Sequence, residues 1–85
     1  NAMGLKKLSQ KLDAYFERLE RGKATQIEPA HVQKVIAKLQ TKQNLLTDEF
    51  LAAQSPSKKE RLSNKLATAR AQIERAQWLL AKIGS

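Results

Sequence analysis

Two long stretches of this chain place apolar residues at alternating steps of three and four. The first runs Val32, Ile36, Leu39, Leu46, Phe50, Ala53, with the polar Gln43 occupying one step. The second is entered at Lys59 and continues Leu62, Leu66, Ala69, Ile73, Ala76, Leu80, Ile83. Such spacing keeps a narrow stripe facing a neighbouring helix, so each run predicts a helix packed along a coiled-coil seam. Folding the chain at Pro56 sets the two runs layer on layer. Phe50 meets Leu62, Leu46 meets Leu66, Gln43 meets Ala69, Leu39 meets Ile73, Ile36 meets Ala76 and Val32 meets Leu80. That register needs only a tight turn at Gln54-Ser55-Pro56-Ser57, and the chain therefore encodes a long antiparallel helical hairpin.

A third amphipathic pattern precedes the hairpin. Leu5, Leu8, Leu12, Tyr15, Phe16 and Leu19 fall on one stripe, with charged residues elsewhere. The punctuation agrees with three helices, roughly 5–21, 28–54 and 57–83. Gly4, Gly22 and Gly84 lie outside the periodic runs, and Pro29 and Pro56 stand at helix starts, where a missing N–H costs nothing. Thr25 to Glu28 and Ser57 to Glu60 each have the spacing of a capping box. Helix 1 spans roughly 25 Å against roughly 40 Å for the others at 1.5 Å per residue. The short link 22–27 returns it over the open end of the hairpin, on the side where Val35 and Leu79 widen the apolar surface. The fold class expected is all-α, a left-handed three-helix bundle with crossings near +20°. Flanking positions in this register bring no like charges together and make one attractive pair, Glu49 with Lys65.

An 85-residue chain makes one small domain, here 3–85, with Asn1 and Ala2 read as a probable tag remnant. The absence of cysteine removes disulfides and thiolate metal sites and points to a reducing, cytoplasmic location. No stretch is apolar enough to span a membrane. Helix 1, with lysines beside an apolar stripe, has the character of an interfacial helix, but the hairpin offers that stripe a docking surface instead.

The catalytic inventory is nearly empty. His31 is the single histidine, at the start of helix 2. Asp13, Glu17 and Glu20 share a face of helix 1, where Glu17 is better read as a partner for Arg21 and helix 3 offers Arg75 and Lys82 nearby. Asp48 and Glu49 are neighbours in sequence yet diverge by about 100° on a helix. With no glycine-rich phosphate loop and no nucleophile–base pairing, the composition argues against an enzyme, a metal, a cofactor or a small-molecule substrate.

Charge narrows the remaining classes. The net charge is +8, with six Lys/Arg against three acids in residues 4–23, three against three in 24–54, and seven against two in 55–85. Two candidate surfaces follow. Trp78, in line with Ala67 and Ala71 on helix 3, makes a small-residue stripe suited to a protein partner or to self-association. Lys58, Arg61 and Lys65 on helix 3, with Lys34, Lys38 and Lys42 at i, i+4, i+8 on helix 2, make basic ridges suited to a phosphate backbone. The turn-proximal group, Lys58, Arg61 and Lys65, is the better candidate because helix 1 is expected to stop short of it. The first reading is a non-enzymatic helical protein-interaction module; the alternative is a small basic nucleic-acid-binding protein using the Lys/Arg flank near the turn between helices 2 and 3.

Overall fold

The structure, a computed structural model, describes residues 4–84; the expected tag remnant lies outside the described residues. It contains α1 (Leu5–Glu20), a 3₁₀ turn (Ala24–Gln26), α2 (Pro29–Ala52) and α3 (Pro56–Gly84), with no strand among the described residues. α2 and α3 pack along their length as the hairpin, and α1 lies against both. The molecule measures 47 × 24 × 18 Å.

Each helix boundary has a local cause. Gly22 ends α1 at φ 74°, a left-handed conformation that only glycine adopts without cost. The Gly22 N–H donates to Leu19 O at 3.1 Å, and Lys23 N–H to Arg18 O at 2.8 Å, so the last carbonyls are satisfied in Schellman fashion. α2 starts with Pro29 in its first turn while the Glu28 carbonyl accepts the N–H groups of His31 and Val32. Thr25 is drawn into the 3₁₀ turn, and the side chain of Glu28 makes no capping hydrogen bond, so that box does not form. The second box does not form either, and a single serine cap two residues earlier takes its place. Ser55 Oγ accepts the Lys58 N–H at 3.2 Å, which makes Ser55 the cap and places Ser57 inside α3. The reason is Pro56, which is pre-set for the first helical position and so pulls the start toward the turn.

The core divides at Gln43. Toward the open end, Leu8, Leu12, Ile27, Val32, Val35, Leu39, Ile73, Ala76 and Leu79 form one cluster. Toward the turn, Leu46, Ala53, Leu62, Leu66 and Ala69 form the other, and Leu5 packs against both. Val35 and Leu79 are 2% and 0% exposed, whereas Ile36 and Leu80 are only half-buried. The seam thus rolls toward α1 where α1 docks, on the expected side. Gln43 is half-buried, and no buried side-chain N or O among the described residues lacks a partner, so its amide reaches solvent. Lys59, at the outermost seam position, closes the hairpin. Its Nζ donates to Phe50 O at 3.1 Å and lies 4.6 Å from the Phe50 ring, placing a cation against the C-terminal carbonyls of α2.

Candidate nucleic-acid interface

Docking α1 into the hairpin creates a groove along each of its sides. Leu8 and Leu12 fill the hairpin between α2 and α3, and the residues flanking them on α1 become the groove walls. On the α3 side, a groove of about 450 Å³ is lined by Leu5, Lys6, Ser9, Arg61, Asn64, Lys65 and Thr68. On the α2 side, a furrow of about 240 Å³ is lined by Lys11, Tyr15, His31, Lys34, Val35 and Lys38. Arg18 places its guanidinium 5.5 Å from the Tyr15 ring. No carboxylate lines either groove.

Two of the three acids of α1 are occupied elsewhere. Asp13 Oδ1 accepts from Arg75 across to α3 at 2.8 Å, and Glu17 pairs with Arg21 at 3.3 Å along its own helix. These are the two ion pairs among the described residues, and none of Lys6, Lys11, Lys34, Lys38, Arg61 or Lys65 takes part in them. Glu49 and Lys65, expected to attract across the hairpin, form no ion pair.

Sequence reasoning placed Lys34 and Lys38 on one ridge and Arg61 and Lys65 on another, and the structure puts both pairs on groove walls. It corrects the expected reach of α1: the first turn of α1 arrives beside Arg61 and Lys65, leaving only Lys58 beyond it. Lys42 continues the α2 ridge one turn past Lys38. Lys6 and Lys11 join these walls beyond the residues the sequence pointed to, and their signal is their position beside Leu5, Leu8 and Leu12 on the apolar stripe.

Trp78 is 53% exposed, but one face of its indole stacks on Phe16 of α1, with centroids 5.8 Å apart and planes at 13°. Arg75 lies 4.4 Å from the Phe16 ring, and Lys82 lies 5.6 Å from Trp78. Ala67 and Ala71 are exposed on α3, toward the turn from this cluster. Leu45 and Leu51 on α2 are 52% and 71% exposed.

Among the described residues, no three His, Asp or Glu side chains gather as a metal site, and no helix is long and apolar enough to cross a membrane. No protein-family model, curated protein or solved structure matches this chain.

Proposed function

We propose that this protein is a non-enzymatic binding module that holds nucleic acid through its phosphate backbone, largely independent of base sequence. One observation carries the reading: each groove beside α1 has three cationic residues on its walls, Lys6, Arg61 and Lys65 on one side and Lys11, Lys34 and Lys38 on the other, and no carboxylate. Lysines gathered in a concave surface repel one another, and an anion seated between them relieves that repulsion while releasing its own counterions. Neither groove offers a protruding recognition helix or an exposed aromatic platform, so base readout has no obvious instrument. A cysteine-free chain suits the reducing cytoplasm, which we take as its location.

The test is anisotropy of labelled duplex and single-stranded oligonucleotides at about 50 and 200 mM salt. Neutralising five duplex phosphates gives a loss of about 500-fold over that range. Absence of binding at the lower salt, or affinity indifferent to salt, would reject the reading.

A protein-contact module, the first reading of the sequence, stands second here and is supported by the exposure of Leu45 and Leu51 on α2. Its Trp78 surface is less available than its position on α3 suggested, because Phe16 covers one indole face. Concentration-dependent sedimentation of the wild type that is abolished by Leu51→Ser would support this second reading. A monomer at all concentrations would remove self-association from it.

A further inference from the structure

We infer that the two grooves are halves of one site, crossed by a single nucleic-acid duplex lying over the N-terminal half of α1. This rests on the nucleic-acid reading above and adds the partner's form, its path and the helix that anchors it. Between the grooves, residues 5–12 of α1 carry Lys6, Lys7 and Lys11 and no acid. The first acid, Asp13, is held by Arg75. α1 and α2 run antiparallel with Lys11 and Lys38 on the walls of one furrow. One turn further toward the hairpin turn, Lys7 on α1 is therefore level with Lys42 on α2. The cations then form a continuous oblique band: Arg61 and Lys65 on α3, Lys6, Lys7 and Lys11 on α1, Lys38, Lys42 and Lys34 on α2. The N-terminus of α1, the positive end of its dipole, falls inside this band.

Acids border the band. Glu17 and Glu20 lie toward the other end of α1, and Asp48 and Glu49 lie toward the turn on α2. That arrangement favours a polyanion running across the bundle over one running along it. Duplex is favoured over single strand because the aromatic residues near the band are engaged. Tyr15 is half-buried with Arg18 over its ring, and Trp78 stacks on Phe16 outside both grooves. A crossing of the 24 Å dimension covers about seven base pairs at 3.4 Å each.

The test uses the full chain, a labelled duplex of about 12 base pairs, and two pairs of substitutions. Lys34→Gln with Lys38→Gln alters the α2 wall, and Arg61→Gln with Lys65→Gln alters the α3 wall. All four side chains are exposed, and glutamine keeps helix propensity, with circular dichroism confirming the fold. A single site predicts that each pair weakens binding and lowers the salt slope by about two, one per lost phosphate contact. It also predicts that amide resonances lining both grooves shift together in one 1:1 titration. If either pair leaves affinity and slope unchanged, or the grooves fill in separate steps, the single-site inference is overturned while nucleic-acid binding stands. If the single strand binds more tightly than the duplex, the partner's form is overturned. If the wild type binds neither at 50 mM salt, the parent reading falls and this one with it.

Discussion

At the residue scale, the helix ends are decided by single side chains whose removal has a calculable cost. Gly22 at φ 74° has no atom within 4 Å of where a Cβ would stand, so a substitution there is penalised by backbone conformation alone. Gly22→Ala should cost about 1–2 kcal/mol, the ordinary penalty for placing an L-residue in the left-handed region. In a domain this small that lowers Tm by roughly 4–8 °C per kcal/mol, readable by thermal circular dichroism. The cap of α3 provides a finer discrimination. Ser55→Ala should cost about 1 kcal/mol, because Ser55 Oγ accepts an otherwise orphaned N–H. Ser57→Ala should leave Tm within a degree or two, since its hydroxyl meets only Ser55 Oγ at an exposed site. Equal losses at the two positions would contradict the assigned start of α3.

At the element scale, the decisive contact is α1 against the hairpin. Leu12 is 0% exposed within the open-end cluster. Leu12→Ala should cost about 2–5 kcal/mol, the range for deleting a fully buried leucine side chain. Trp78 is the single tryptophan and stacks on Phe16 of α1, so its emission reports docking directly. The Leu12→Ala chain should lose both tryptophan shielding and helical signal at a lower temperature than the wild type. An unchanged Tm would mean that α1 contributes little to the fold. The hairpin was legible in the sequence because its two stripes specify each other: Leu39 has one layer to meet and Ile73 supplies it. The position of α1 along the hairpin was legible only in part. A helical pattern reports angles around one axis, which placed Val35 and Leu79 correctly on the docking side. It does not report axial offset, which depends on how far Leu5 slides toward Leu46 and Leu66. For that reason the nearness of Lys6 to Arg61 and Lys65, and the cover of Phe16 over Trp78, emerged only with the helices in place.

At the scale of the whole molecule, the net charge of +8 gives salt two opposite effects, and together they test whether the charge is functional. In the free protein, the cations of the band repel one another and few acids offset them, with two ion pairs among the described residues. Raising ionic strength shortens the screening length from about 30 Å at 0.01 M to about 8 Å at 0.15 M, relieving that repulsion, so the Tm of the free chain should rise with salt. In the presence of duplex the sign reverses. A ligand at about 100 times its Kd adds about 2.7 kcal/mol to the folded state, and salt removes that increment by weakening binding. Melting curves with and without duplex should therefore approach each other as salt is raised, from well separated at 50 mM to nearly coincident at 200 mM. Removing the four groove charges at Lys34, Lys38, Arg61 and Lys65 should raise the low-salt Tm of the free chain and abolish its stabilisation by duplex. These outcomes are linked because both originate in the same uncompensated cations. A variant that gains low-salt stability yet keeps the full duplex-induced rise would separate them and assign the charge a role in solubility alone.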